Sequence, residues 1–242
     1  MTGAGKGIGK AISKSLAREG AKLILISRSK SDLSNILNEL NDVPGRHQIF
    51  ELDLMNYEET EKIIYQIRKE TPPDIIVNSV GGSLGVRNAL AEYGDWERVW
   101  RLNVGITIQI NNILIPKLIQ KKWGRIINLT TTSTVSQTFT GNPPYVSAKA
   151  ALNAYSKSLS RELAKSGIVV ASVAPGAIYT QGRYLANLSK SAPDELQKYF
   201  DDHLPANRLG TPEDVAEVVT FLCSESSAFC SGSFIQVDGG AL

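Results

Sequence analysis

The sequence predicts an α/β fold, a doubly wound parallel sheet with helices on both faces. Three observations carry that prediction. Short runs of continuous apolar residues alternate along the chain with longer stretches of helical periodicity, the pattern of a parallel sheet covered on both sides. A glycine-rich turn opens the first helix. Polar and turn-forming residues gather just after the apolar runs, where an open α/β sheet places its ligands. No internal repeat, low-complexity stretch or linker interrupts the 242 residues, so residues 1–242 read as one domain.

Thr2-Gly3-Ala4-Gly5-Lys6-Gly7-Ile8-Gly9 comes first. A helix follows, with Ile8, Ala11, Ile12, Leu16 and Ala17 on one face and Gly20 at its end. Glycines at such a place let the backbone approach a diphosphate, and the helix start adds unpaired N–H groups and a positive dipole end. Gly3, Gly5, Lys6, Gly7, Ile8 and Gly9 are therefore candidate cofactor contacts. Residues 23–26 read as a buried strand ending in Ser27-Arg28, without the acidic residue that bonds the ribose 2′-hydroxyl in NAD-selective folds. Arg28 and Lys6 are candidates to face a 2′-phosphate, which favours NADP(H) over NAD(H).

Residues 31–40 read as a helix, Pro44-Gly45 as a turn, and 49–54 as a strand ending in Asp53-Leu54. A helix over 58–69 and a strand over 75–78 follow. That strand leaves through Asn78-Ser79-Val80-Gly81-Gly82, a second tight glycine exit. One long helix is expected over about 95–121, kinked or broken near Pro116, with Asn103 inside it. Residues 125–129 form a strand that runs into Thr130-Thr131-Thr132-Ser133.

Asn142-Pro143-Pro144 starts the next helix, since a first turn tolerates missing N–H groups. Tyr145 and Lys149 are four apart and share one face of it. An ammonium beside a phenol favours phenolate and lowers a tyrosine pKa from its usual value of about 10. A tyrosine tuned that way can give or take a proton near neutral pH. The helix is expected to reach about residue 165. A strand over 169–174 ends in Pro175-Gly176. Residues 178–209 are polar and irregular apart from a short helix over 193–202, and they suit a lid over a site. A helix over 211–223 and a strand over 234–237 precede Asp238-Gly239-Gly240.

Composition narrows the partners. Hydrophobic residues are 42%, charged residues 21% and the net charge is +2, which gives no case for nucleic acid or a membrane surface. No apolar run reaches the ~18 residues of a membrane span. The N-terminus is glycine-rich rather than basic and then apolar, so no signal peptide is expected, and Cys223 and Cys230 suit a reducing cytoplasm. His47 and His203 lie far apart without ligand spacing, so no catalytic metal is expected.

Taken as an ordered set, these residues resemble the short-chain dehydrogenase/reductase family over nearly the whole chain. Residues 210–216 and 237–240 resemble its 3-oxoacyl-[acyl-carrier-protein] reductase-like branch. The resemblance implies a Rossmann-type fold, often a tetramer, and hydride transfer between a nicotinamide and a carbonyl or secondary alcohol of a small-molecule substrate. A homo-oligomer, tetramer or dimer, is therefore expected. Residues 2–9 resemble the family's cofactor loop. Asp53 resembles the acid beside the adenine ring, and its neighbour Leu54 is grouped with it. Asn78-Ser79-Val80-Gly81 stands where the family has Asn-Asn-Ala-Gly, keeping Asn78 and Gly81. Asn103 resembles the helix asparagine of the catalytic tetrad, which holds a relay water. Tyr145 and Lys149 match the Tyr-x-x-x-Lys pair, in which the tyrosine protonates the alkoxide and the lysine holds the ribose hydroxyls. Pro175, Gly176, Ile178 and Thr180 resemble the loop that holds the nicotinamide. Alternatives on the same fold are an NAD-dependent sugar or alcohol dehydrogenase, a non-catalytic dinucleotide-binding sensor, and a lyase or epimerase.

Two departures stand out. Counting thirteen residues back from Tyr145 reaches Thr132, while counting forward from residues 124–128 reaches Thr131; the first serine is Ser133. The catalytic hydroxyl is expected at Ser133, with Thr131 second. The family's first strand precedes the Thr-Gly pair, and here only Met1 does. That strand would lie between residues 23–26 and 75–78, so the working protein is expected to start several residues upstream.

Overall fold

The computed structural model describes residues 1–40, 47–135, 142–180 and 191–241. After the glycine loop come α1 (Gly7–Arg18), β1 (Ile24–Ser27), α2 (Lys30–Glu39), β2 (Gln48–Glu51), α3 (Tyr57–Glu70) and β3 (Ile75–Asn78). The chain continues through α4 (Tyr93–Trp100), a π-helical turn (Arg101–Gly105), α5 (Ile106–Lys121), β4 (Gly124–Leu129), α6 (Pro143–Leu163) and β5 (Ile168–Pro175). It closes with α7 (Pro193–His203), α8 (Pro212–Cys223) and β6 (Phe234–Val237). The Pro44-Gly45 turn lies outside the described residues.

All strand pairs are parallel: β1 with β2, and β3-β4-β5-β6 in that order. Met1 and Thr2 join the two sets. Thr2 forms a parallel bridge with Ile26 and donates its N–H to Val77 O at 3.0 Å, while Ile26 N–H donates to Met1 O at 3.0 Å. Two residues therefore stand at the sheet's centre, where the resemblance puts the family's first strand, and they supply partners to both neighbours.

Each strand alternates its side chains between two cores. Val77, Ile127, Ala171 and Val173 pack with α1, α2 and α8, through Ile12, Leu16, Leu33, Ile36, Val215 and Val219. Ile76, Ile126 and Val170 pack on the other side with α3 and α5, through Ile64, Ile67, Ile110 and Leu114. This is the doubly wound architecture the alternation of elements predicts. Local chemistry fixes the ends. Asn56 caps α3 by accepting the Glu59 N–H, with Glu58 and Glu59 in its first turn and Arg68 and Lys69 in its last. Thr211 and Asp214 form a capping box at α8, with Pro212 at the helix start.

The long helix departs from expectation in one respect. It runs on through Pro116, and its irregularity falls instead at Arg101–Gly105, a wide turn around Asn103. A proline removes only one helical N–H, and α5 is held on its flanks by core packing. The run Tyr93–Lys121 is long and apolar enough to cross a membrane by length and composition, yet 61% of its most apolar window is buried inside the protein. At the other end of the sheet, Arg125 is 2% exposed. It donates to Ser224 O and Gly124 O at 3.1 and 3.0 Å and lies 4.5 Å from the Trp123 ring, tying β4 to the end of α8.

Candidate active site

The carboxyl ends of the strands converge on one cleft. On one side is the glycine loop. Gly3 has φ +66°, open to glycine at little cost, and a Cβ on Gly9 would fall 2.0 Å from Gly3 O. The loop is folded on itself as only glycine allows. Lys6 is the N-cap of α1 without a side-chain cap bond, and the first turn holds no acid. The leading amides of α1 and the bare backbone of the loop fit an anionic diphosphate. Gly7 meets Thr180, whose Cγ2 would lie 3.1 Å from a Cβ there, so the glycine loop and the segment after β5 face each other. Ile8, in the first turn of α1, packs against the core.

Beyond β1, Arg28 is exposed, as a 2′-phosphate ligand must be. Lys6 is 80% exposed and lies 3.3 Å from Asp32, a carboxylate in the first turn of α2. The sequence reading missed Asp32, because it searched for an acid only at the strand end. The helix that follows turns its first residues back toward the loop: a Cβ on Gly5 would lie 2.7 Å from Ser27 Oγ and 3.2 Å from Asp32 Cβ. Asp53 falls past the end of β2, which stops at Glu51. It is exposed, and its carboxylate accepts the Met55 N–H at 3.0 Å. Leu54 is buried, and its carbonyl accepts from Arg101 at 3.2 Å.

On the far side stands α6, the helix of Tyr145 and Lys149. Lys149 is 3% exposed and donates to Leu129 O, at the end of β4, at 2.7 Å. Burial pulls its pKa down to about 7. The amine expected as an ammonium beside Tyr145 is thus poised between charged and neutral near pH 7. Asn103 is fully buried, donating to Gly82 O and Val99 O at 2.8 Å and accepting the Gly82 N–H at 3.0 Å. A Cβ at Gly81 would touch both Asn103 Oδ1 and Lys149 Nζ. Gly81, Asn103 and Lys149 therefore form one cluster, reached from three different elements.

Asn78 lies deeper, donating to Asn128 Oδ1 at 2.9 Å and Asn111 Oδ1 at 3.2 Å. Asn128 in turn donates to Ser156 on α6 at 2.8 Å. The side-chain amide of Asn78 is committed to holding β3, β4, α5 and α6 together. Sequence reasoning missed Asn111, Asn128 and Ser156, since polar residues scattered over separate helices and strands carry no shared spacing.

The hydroxyl candidates follow β4. Thr131 is extended, and Thr132–Thr134 make a 3₁₀ turn. Thr131 Oγ1 donates to Ser133 Oγ at 3.2 Å and accepts the Ser133 N–H at 3.3 Å, so the two lie together. Thr132 is buried and turned away, with its hydroxyl 3.5 Å from Pro175 O. Pro175 ends β5; Gly176 donates to Val237 O at 3.0 Å and presses on Asp238. Ile178 bridges Gly210, and the Tyr179 and Gly210 amides pair with Gly210 O and Ala177 O at 2.7 and 3.0 Å. The two ends of the expected lid are thereby tied together; its residues 181–190 lie outside the described residues. Among the described residues, no group of three or more His, Cys, Asp or Glu is placed to hold a metal ion.

A glycine loop at a helix start, with a helix that carries a tyrosine and a buried lysine across the carboxyl edge of a parallel sheet, defines a dinucleotide-type α/β protein. The chain belongs to the short-chain dehydrogenase/reductase family: the family model described as enoyl-(acyl carrier protein) reductase matches residues 3–241. The 3-oxoacyl-[acyl-carrier-protein] reductase of Aquifex aeolicus is 34% identical, over 99% of this chain and 95% of its own. The 7alpha-hydroxysteroid dehydrogenase of Escherichia coli K12 is 30% identical, over 100% of this chain and 92% of its own. Among solved structures, L-sorbose reductase from Gluconobacter frateurii, complexed with NADPH and L-sorbose, superposes with a TM-score of 0.92 at 30% identity, covering 100% of this chain and 95% of that one.

Proposed function

We propose that the protein is an NADP(H)-dependent oxidoreductase that interconverts a carbonyl and a secondary alcohol. The observation that carries this reading is Lys149, a buried amine one helical turn from Tyr145 and in contact range of Gly81 and Asn103. The relatives' names, all reductases or dehydrogenases, and the NADPH complex among them support it.

When bound, NADP(H) supplies or accepts the hydride. Gly3, Gly5, Gly7, Ile8, Gly9 and the leading amides of α1 hold the diphosphate, with Lys6 and Arg28 at the 2′-phosphate. Asp53 and Leu54 flank the adenine. Gly81 forms the edge of the cleft, supported from beneath by the buried Asn78, and Pro175, Gly176, Ile178 and Thr180 form the nicotinamide end. In reduction, Ser133 donates a hydrogen bond to the substrate carbonyl and stabilises the charge that develops on its oxygen. Thr131, hydrogen-bonded to it, is the second candidate. Tyr145 delivers the proton to that oxygen. Lys149 binds the ribose hydroxyls and, with a pKa near 7, both gives and takes protons at neutral pH. Both amide protons of Asn103 are committed and its Oδ1 accepts the Gly82 N–H, which leaves one Oδ1 lone pair for a relay water.

One observation favours a second reading, NAD(H) as the cofactor: Asp32 stands beside Lys6 and opposes a 2′-phosphate. We place the enzyme in the cytoplasm as a homo-oligomer, tetramer or dimer. The edge strand β6 and the exposed Phe221 and Phe229 support association, which sedimentation would test.

The catalytic reading is tested with NADPH and a panel of a 3-oxoacyl thioester, a keto sugar and a 7-oxosteroid. Wild-type protein should oxidise NADPH with at least one of them. Tyr145→Phe should lose about 10²- to 10⁴-fold in turnover while still binding cofactor. Unchanged turnover in that variant would end the assignment.

A further inference from the structure

Asn153 lies on the same face of α6 as Tyr145 and Lys149, one turn beyond the lysine. Its Nδ2 donates to Thr134 Oγ1 at 2.9 Å, and the Thr134 hydroxyl donates to Thr131 O at 2.9 Å. A threonine hydroxyl has one proton. With that proton on Thr131 O, the Thr134 oxygen requires a donor, which fixes the Asn153 amide with its nitrogen toward the turn. Among the described residues, Asn153 Oδ1 is buried without a partner, a cost that an apolar side chain at this position would avoid.

The tie continues inward. Thr131, held through its carbonyl, accepts the Ser133 N–H at its Oγ1 and spends its own hydroxyl proton on Ser133 Oγ. Among the described residues, the Ser133 hydroxyl proton has no recorded acceptor, so Ser133 can offer it to a substrate oxygen. The turn that carries it is a three-residue 3₁₀ segment, a geometry with weak internal hydrogen bonding. Its other side-chain anchor, Thr132 to Pro175 O, is long at 3.5 Å.

We propose that Asn153 and Thr134 are positioning residues: they lock the hydroxyl turn to the helix that carries the acid–base pair. The Ser133 hydroxyl and the Tyr145 phenol are thereby aimed at one substrate oxygen. This inference rests on the oxidoreductase reading above. Neither residue touches substrate; each acts through Ser133. Two hydrogen bonds to a single oxygen from two separate elements demand that those elements keep a fixed distance, and a sub-ångström drift is enough to lose much of the rate.

The test is a double-mutant cycle in kcat and KM, with NADPH and whichever carbonyl of the panel the wild type reduces. Asn153→Ala should lower kcat about tenfold and leave the KM for NADPH unchanged. Thr134→Val should do the same, Thr134→Ser should retain activity, and combining Asn153→Ala with Thr134→Val should cost no more than either alone. The decisive comparison is the Ser133→Ala background, where Asn153→Ala should have no further effect on kcat. Equal losses in the two backgrounds would make Asn153 a general structural anchor and overturn the proposal, as would full activity in Asn153→Ala. If Asn153→Ala does not fold, the Thr134→Val and Thr134→Ser pair in both backgrounds gives the same decision. Should the wild type turn over and Tyr145→Phe be inactive while the Asn153 and Thr134 variants are normal, the positioning role alone fails. A wild type without turnover rejects both.

Discussion

Gly81 lies directly against the head of Lys149: a Cβ at position 81 would come within 2.8 Å of Lys149 Nζ and 2.7 Å of Asn103 Oδ1. Both groups are buried and both are held, Lys149 by Leu129 O and Asn103 by Gly82 and Val99. An added methyl must push one of them out of place. The atoms in its way are side-chain ends rather than backbone, so the fold can absorb the shift more easily than the site can. Gly81→Ala should therefore cost about 10²-fold in kcat/KM, with stability lowered by only about 1 kcal/mol. Steady-state kinetics beside urea unfolding measures the two together. Near-normal kcat/KM would mean that Lys149 and Asn103 yield freely and that their positions do not set the rate.

The same lysine gives the fold a pH signature. Its pKa falls from 10.5 to about 7 because burial disfavours the ammonium. Between those two values the unfolded chain carries a proton that the folded chain does not. Stability from this group therefore rises with pH across that window, and below about pH 7 the folded state bears the full cost of the buried group. That cost is on the order of a few kcal/mol. Lys149→Met removes it and also removes the donor to Leu129 O. The difference in Tm between variant and wild type should be most favourable to the variant near pH 6 and should fall steadily as the pH approaches 10. Thermal melts across that range decide the matter; a difference independent of pH would show that Lys149 titrates normally in the folded protein. Activity should be lost in the variant at every pH.

The architecture was legible because it rests on local, repeated signals. The apolar runs at 23–26, 75–78 and 169–174 fall on β1, β3 and β5 within a residue or two, and the helix starts at Asn56, Asn142 and Thr211 carry capping or proline chemistry that a single sequence displays. The helix α6 was legible for the same reason, since its proline start and the one-turn spacing of Tyr145 and Lys149 are local. What depended on packing was not. Pro116 looked like the break in the long helix, whereas the wide turn at Arg101–Gly105 has no proline or glycine signal strong enough to announce it. The charge state of Lys149 follows from burial by distant segments. Asn153 was the nearest miss: it continues the four-residue spacing of Tyr145 and Lys149, but its importance appears only once Thr134 is brought against it by β4.

Asp32 has a consequence for cofactor choice. The exposed Lys6 pairs at 3.3 Å with the partly buried Asp32, beside Ser27 and the Gly5 backbone. A 2′-phosphate entering that corner meets Lys6 partly neutralised and a carboxylate close by. Asp32→Asn removes the opposing charge and releases the lysine, so the KM for NADPH should fall about two- to fivefold, the scale of an exposed charge pair, while the KM for NADH stays put. Lys6→Ala should move NADPH the other way and again leave NADH alone. Because Lys6 is solvated and Asp32 is open to solvent in part, both effects should shrink when the ionic strength is raised from about 0.05 M toward 0.5 M, as screening shortens the reach of each charge. Kinetics with both nucleotides at both salt concentrations separates this from a change in loop shape. Asp32 also packs near Gly5, and if its substitution acted by reshaping the loop, NADPH and NADH would shift together and salt would not matter. Parallel, salt-independent shifts would therefore remove Asp32 from the selection of the 2′-phosphate.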